Sequence, residues 1–360
     1  MSNVRSKESY NLDDVVKDNK GKMEYTYLGK SGLRVSKICL GMMSYGDKRW
    51  NEWILEEDES LPLIKAAYDA GINFFDTADI YSNGVSEVIT GKAIKQYDFP
   101  RNEIVVATKL FGTVARNWEK CIGVEKDVLE KEHRHANNGG LSRKHIFDAV
   151  DASLKRLDLE YIDLLQIHRA DPHVSYEETM RALHDVVQSG KVRYIGASSM
   201  WAWQFMEYNM TARMHGWTEF ISMQNFYAAS YRNEEQEMLP CCKKHGVGVI
   251  PWSPLAVAGA IEKVANRLQL PMAQVACAWY VSSAPLSRPL PNAKKLIHRS
   301  AFPPSTHRVL KNPVVTAPII GISNARSLDD ALKAVHVKLS DEDVKEIEDA
   351  YSVRPNQGFS

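Results

Sequence analysis

Four residues of the types that handle protons stand at or just past the ends of short apolar runs: Asp76, Tyr81, Lys109 and His168. The runs are Ile72 to Phe75, Ile104 to Thr108 and Ile162 to Ile167. Repeated placement of such residues at strand ends is hard to explain as packing and reads as one site. A tyrosine with an ordinary pKa of about 10 is a weak proton donor at neutral pH. A nearby lysine ammonium favours the phenolate and is expected to make Tyr81 the better acid, with Asp76 holding that ammonium in place. His168 has a donor that can orient or polarise a carbonyl oxygen. The set suits protonation of an oxygen that is becoming an alkoxide. It has no electron source of its own, so a hydride-carrying cofactor is implied.

The elements that must position these groups follow a repeating pattern. Apolar runs Ile38 to Met42, Ile72 to Phe75, Ile104 to Thr108, Ile162 to Ile167, Val192 to Ala197, Phe220 to Gln224, Val247 to Trp252 and Ala317 to Gly321 suit buried parallel strands. Amphipathic helices lie between them. One begins after Ser142, a predicted N-cap, and places Ile146, Ala149, Val150, Leu154 and Leu157 on one face. Another spans Asp341 to Tyr351, with Ser340 as N-cap and Asp343 three residues on. Gly71, Gly190 and Gly246 stand where a helix ends and a strand follows, as C-cap glycines do. Strands alternating with helices in this way predict an α/β fold, a closed (β/α)8 TIM barrel, whose chemistry sits at the carboxyl ends of the strands. Tyr25 to Leu28 and Leu33 to Lys37, joined by a glycine-bounded turn, predict a β-hairpin that closes the bottom. Residues 1–22 are polar and without a period, and are read as a mobile tail ahead of one barrel domain over 23–360. Two irregular insertions interrupt it, at 111–141 and at the proline-rich 285–311.

Bulk properties exclude several classes. The 360 residues are 44% hydrophobic and 25% charged with zero formal net charge, which argues against a nucleic-acid partner. There is no uninterrupted apolar run of about 18 residues and no basic-then-apolar leader, so no membrane span or signal peptide is expected, and the cytoplasm is the default location. Five cysteines make no disulfide framework. Cys39 and Cys277 read as buried hydrophobes, and the Cys241–Cys242 pair lacks metal-ligand spacing. His133 and His135 lie in a charged stretch read as a solvated loop, so no metal site is expected.

The segments Leu40 to Ser44, Gly71-Ile-Asn-Phe-Phe-Asp-Thr-Ala-Asp-Ile-Tyr81, Ala107-Thr-Lys109, Asp163-Leu-Leu-Gln-Ile-His168 and Trp252-Ser-Pro-Leu255 together closely resemble the aldo-keto reductases. The similarity runs over about Tyr25 to Leu255 and resumes at Asn312. It is strongest to the branch with fungal aryl-alcohol dehydrogenases, versiconal hemiacetal acetate reductase and potassium-channel β subunits. The resemblance implies hydride transfer from NADPH to the carbonyl of a small molecule, with Tyr81 as general acid, Lys109 and Asp76 as its tuning pair and His168 as substrate orienter. It places Ser198, Ser199 and Gln224 on the nicotinamide carboxamide and Trp252 on the nicotinamide ring. Ser253 and Leu255 fall along the pyrophosphate, Gly321, Ser323 and Asp330 near the adenosine 2′-phosphate, and Met42 and Met43 also at the cofactor. Ser327 and Ala331 stand where relatives carry longer polar groups, which leaves NADH as the lesser alternative. The chain passes from Leu255 through Ala256 to Ala260 into the next helix, where relatives carry a longer strap over the cofactor. That shortening, with the likeness to channel subunits, leaves open a cofactor-binding regulatory subunit with little turnover. Met43, Tyr45, Trp50, Trp53, Trp118 and Trp201 fall in loops on the catalytic side and outline a pocket for an aromatic carbonyl, or else simply pack those loops.

Overall fold

Eight short runs rich in Val, Ile, Leu, Phe and Ala become eight parallel strands, because side chains on both faces can be buried: one face in the barrel interior, the other under helices. The computed structural model describes residues 10–118, 128, 135–255, 259–281 and 314–351. The insertion predicted over 285–311 lies outside the described residues, as do 119–127 and 129–134 of the 111–141 connection and 256–258 after Leu255.

The hairpin strands are β1 (Tyr25–Tyr27) and β2 (Arg34–Ser36), paired antiparallel. The barrel strands are β3 (Cys39–Gly41), β4 (Phe74–Asp76), β5 (Val105–Leu110), β6 (Ile162–Ile167), β7 (Val192–Ser198), β8 (Ser222–Gln224), β9 (Gly248–Val249) and β10 (Ile319–Gly321). Each pairs with its neighbour in chain order, and β10 pairs with β3. The ring closes where Val249 bridges Val315 and the Ile319 amide donates to the Pro251 carbonyl at 2.9 Å. This is the predicted (β/α)8 barrel with its N-terminal hairpin.

Because strand side chains alternate, one parity of residues fills the interior. Leu28 and Val35 from the hairpin, Cys39, Phe74, Val105, Ala107, Leu164, Ile250, Ala317 and Ile319 form that lower core. Continuing each strand in the same parity reaches Asp76, Lys109, Gln166 and His168. The apolar layers therefore end where the polar ones begin, at the carboxyl ends of the strands.

The helices cover the outer face. They are α1 (Leu12–Asn19), α2 (Glu57–Asp69), α3 (Val85–Gln96), α4 (Arg143–Leu157), α5 (Tyr176–Gln188), α6 (Ala202–His215), α7 (Met238–His245), α8 (Gly259–Leu268), α9 (Met272–Val281), α10 (Ala325–Ala334) and α11 (Asp341–Asp349). Ser142 caps α4 by accepting from the His145 amide, and Ser340 with Asp343 forms a capping box on α11, as predicted. Gly71, Gly190 and Gly246 take φ of 101°, 80° and 69°.

The tail expected over 1–22 is corrected in its described part. Residues 12–19 are a helix, with Asn11 accepting from the Asp13 amide at its start and Val15 wholly buried. The Asn19 amide donates to Asp329 of α10 at 3.1 Å. Eight residues are too few to hold a helix alone, so docking against α2 and α10 supplies its stability.

Gly91 shows packing overriding propensity. It sits inside α3, where glycine is about 1 kcal/mol worse than alanine. A Cβ there would lie 2.2 Å from the Leu157 carbonyl oxygen, at the end of α4. Gly91→Ala is therefore expected to lower stability by about 1–3 kcal/mol despite the better helix former. A urea-unfolding midpoint equal to or above that of the parent would contradict this packing account.

Candidate active site

The strand ends bring the four proton-handling residues together at the mouth of the barrel. Lys109, the last inward residue of β5, and Asp76, the last residue of β4, are 0% and 2% exposed, with Nζ 2.5 Å from Oδ2. Lys109 also donates to the Thr77 carbonyl at 2.7 Å. Asp76 Oδ1 accepts from Gln166 Nε2 and Gln224 Nε2, each at 2.9 Å. Gln224 Nε2 further donates to Gln166 Oε1 at 2.9 Å. Both charges are thus paired and hydrogen-bonded, which is the condition for burying them.

Tyr81 reaches this pair from a tight turn. After β4 the backbone keeps its ladder through Thr77 to Ala107 and Asp79 to Lys109, at 2.9 and 3.0 Å. It then reverses through Ser82 and Asn83, with φ of 49° and 53°, and Gly84 at 92°. Non-glycine residues in this region are strained and need surrounding bonds to hold them. Asn83 supplies two: its amide donates to the Ala115 carbonyl at 2.9 Å and its carbonyl accepts from the Ala115 amide at 2.8 Å. The described start of the 111–141 connection is thereby tied to the tyrosine turn.

Lys109 Nζ lies 4.8 Å from the centroid of the Tyr81 ring, and the His168 ring stands edge-on to it, 5.8 Å away. Burial pushes the Tyr81 phenol up, and the opposing pull of Lys109 and its hydrogen bond leaves a net rise. This corrects the expectation of a net lowered pKa: desolvation of the phenolate, with Asp76 acting against the lysine's field, outweighs the lowering by Lys109. Burial opposes the Lys109 ammonium, yet Asp76 and Tyr81 outweigh it and hold the pKa above the usual lysine value. Burial, aided by Lys109 and Arg169, holds His168 well below the usual imidazole value, so it is neutral at physiological pH.

A cleft of about 660 Å³ opens over these groups. Asp76, Tyr81, His168, Met43, Ser198, Gln224, Trp252, Ser253, Leu255 and Gly321 all line it. Five predicted residues do not: Lys109, fully buried against Asp76, and the four that follow. Met42 is buried and its carbonyl accepts from Ser86 Oγ at 2.8 Å. Ser199 stands behind Trp252, accepting from its indole Nε1 at 3.1 Å. Ser323 lies at the start of α10, outside the cleft lining, where its amide donates to Ser327 Oγ at 3.1 Å. Asp330 is buried between helices, accepting from Gln274 Nε2 of α9 at 2.9 Å. Of the aromatic loop residues, Trp50 lines the cleft beside Tyr81, with ring centroids 6.2 Å apart. Tyr45 is core instead, donating to the Ile322 carbonyl at 2.8 Å. Trp53 packs on Trp50, and Trp118 lies under the Arg49 guanidinium.

Gln166 and Arg169 were missed among the site residues. Gln166 could have been found by strand parity, since it alternates with Leu164 and His168. Arg169 immediately follows His168 and lines the cleft.

The cleft fits a nicotinamide dinucleotide. Phe226 stacks on one face of Trp252 at 4.5 Å, leaving the indole to present its other face to a planar ring. With its amide N–H groups engaged, Gln224 retains Oε1, without a donor among the described residues, for a carboxamide N–H. Farther out, α10 begins at the Asn324 cap and offers a helix N-terminus with Arg326, 53% exposed, in its first turn. Among the described residues no cluster of three His, Cys, Asp or Glu side chains is placed to hold a metal ion. His133 is outside the described residues, and His135 is buried against Asn138 and not in a solvated loop. No helix among the described residues is long and apolar enough to cross a membrane.

Comparison with known proteins agrees with this geometry. The profile of the Aldo/keto reductase family matches residues 37–261 and 256–352. A Schizosaccharomyces pombe chain that carries the name of an aryl-alcohol dehydrogenase is 49% identical, over 93% of this chain and 97% of its own. Aldo-keto reductase AMT2 of Alternaria alternata is 44% identical, over 93% and 94%. Versiconal hemiacetal acetate reductase of Aspergillus parasiticus is 40% identical, over 91% and 97%.

The buried pair generates a stability prediction. Removing one partner leaves an uncompensated charge, so Lys109→Met is expected to cost about 3–5 kcal/mol. Adding Asp76→Asn to it should recover part of that loss. Urea unfolding of both singles and the double variant checks this, and strictly additive losses would contradict the coupling.

Proposed function

The chain belongs to the aldo/keto reductase family and is an oxidoreductase; from that premise we propose that it reduces aromatic aldehydes and ketones with NADPH, Tyr81 giving the proton. The observation that carries the reading is the buried Asp76–Lys109 pair beside Tyr81, facing a neutral His168 in one cleft. When bound, the reduced nicotinamide supplies a hydride to the carbonyl carbon. Tyr81 gives its phenolic proton to the carbonyl oxygen as that oxygen takes the C=O electron pair. The Lys109 ammonium steadies the phenolate left behind, and Asp76, Gln166 and Gln224 keep that ammonium from swinging into solvent. Neutral His168 donates a hydrogen bond to the same oxygen and sets its direction. Reprotonation of Tyr81 from solvent completes the cycle.

An aromatic carbonyl, of the kind met in secondary metabolism, is supported by Trp50, Met43 and Ile80 in the cleft and by relatives named aryl-alcohol dehydrogenase and versiconal hemiacetal acetate reductase. The preference for NADPH is supported by Arg326, a planar donor fork beside a helix N-terminus. A cytoplasmic setting, drawn from the sequence, is part of the same proposal.

Oxidation of NADPH with benzaldehydes tests the reading. Tyr81→Phe is expected to lower kcat about 10²- to 10⁴-fold with NADPH binding retained, and turnover equal to the parent would overturn the role of the phenol. Since the Tyr81 pKa is raised and that of His168 depressed, neither group titrates near neutrality. Reduction is therefore expected to be flat from about pH 7 to pH 9, and a limb inside that window would contradict the assignment. Arg326→Ala should raise KM for NADPH about tenfold while leaving KM for NADH nearly unchanged. Equal changes for both cofactors would remove Arg326 from the phosphate site.

A further inference from the structure

Of the charged side chains that line the cleft, Asp76 is neutralised by Lys109, while Arg169 is not neutralised by any carboxylate among the described residues. Resting on the carbonyl-reductase reading, we infer that Arg169 receives an anionic group on the substrate, so that the preferred substrates are aromatic carbonyls bearing a carboxylate or similarly charged oxygen.

Three observations place it there. First, Arg169 follows His168 directly and shares the cleft with Tyr81, so a group held by its guanidinium lies near the reacting carbonyl. Second, its direction is set: one end of the guanidinium, Nη1, donates to the His168 carbonyl at 2.7 Å. That leaves the rest of the planar fork, which suits a carboxylate far better than a point-charge ammonium would. Third, the nearest acid in sequence is committed elsewhere. Asp171 accepts from the Leu141 amide through Oδ2 at 2.8 Å and from the His173 amide through Oδ1 at 2.9 Å.

An arginine half-buried without an anion loses hydration and gains little in return. Its guanidinium is accordingly disfavoured by burial, a loss that the negative charge Tyr81 can carry offsets only in part. A bound anion would relieve this, and the apolar walls of the cleft would strengthen the attraction. An alternative use of Arg169 is purely as a second positive charge helping Tyr81. That use would affect charged and neutral substrates alike, which gives the two roles separate signatures.

The experiment compares 2-, 3- and 4-carboxybenzaldehyde with their methyl esters, using NADPH and the full chain, for the parent, Arg169→Gln and Arg169→Lys. In the parent, kcat/KM for at least one acid is expected to exceed that of its ester by about 10- to 100-fold, the range of a charge-assisted hydrogen bond. In Arg169→Gln this acid-to-ester ratio should fall to about one, through KM, with partial recovery in Arg169→Lys. A parent ratio at or below one, an unchanged ratio in Arg169→Gln, or equal losses on acids and esters would each overturn the inference. Benzoate binding to the NADPH-loaded protein, read by tryptophan fluorescence against benzamide, separates the two claims. Arg169-dependent benzoate binding without turnover of any aldehyde would sink the reductase reading and leave the anion site standing. Ester turnover with benzoate bound no tighter than benzamide would do the reverse.

Discussion

Burying an ammonium and a carboxylate at the mouth of a barrel is unfavourable by several kcal/mol per ion unless they meet each other and fill their remaining hydrogen bonds. Lys109 and Asp76 do both, through Thr77, Gln166 and Gln224, and much of the local structure exists to make that possible. Strands β4, β5, β6 and β8 each contribute one member of the network, so none of those strands can slip by a residue without exposing a charge to an apolar layer. The pair is therefore a register lock as well as a chemical device. It also explains why the interior changes so sharply from Phe74, Ala107 and Leu164 to Asp76, Lys109 and Gln166 within one inward step of each strand.

The same burial sets the electrostatics of Tyr81 by competition. Water exclusion raises its pKa, Lys109 lowers it, and Asp76 takes back part of what Lys109 gives. The net rise keeps the phenol protonated, as the proposed role of Tyr81 as proton donor requires. The left-handed residues Ser82 and Asn83 are the strain that such placement requires, held by the paired bonds between Asn83 and Ala115.

Most of the barrel was legible because its signals are local: apolar runs of strand length, C-cap glycines and the Ser142 and Ser340 caps. The candidate quartet was legible for a related reason, since strand ends are where this architecture puts chemistry. What escaped depends on distant partners. Leu12, Val15, Val16 and Asn19 have helical spacing, but eight residues carry too weak a signal without the docking of Asn19 on Asp329. Asp330 reads as a phosphate-site residue until Gln274, 56 positions earlier, is seen to occupy it. Tyr45 reads as a pocket ring until its hydroxyl meets Ile322, 277 positions later. The net direction of the Tyr81 shift was missed for a similar reason, because the sequence names the lysine but not the depth of burial.

The central claim is that the Lys109 charge, held by Asp76, acts on the Tyr81 phenol. The direct measurement is the pH dependence of the reverse reaction, alcohol oxidation, which needs the phenolate and so reports its apparent pKa. In Lys109→Met the alkaline limb of kcat is expected to move to higher pH than in the parent, because the charge that favours phenolate is gone. A limb at the same pH in both proteins would contradict the account.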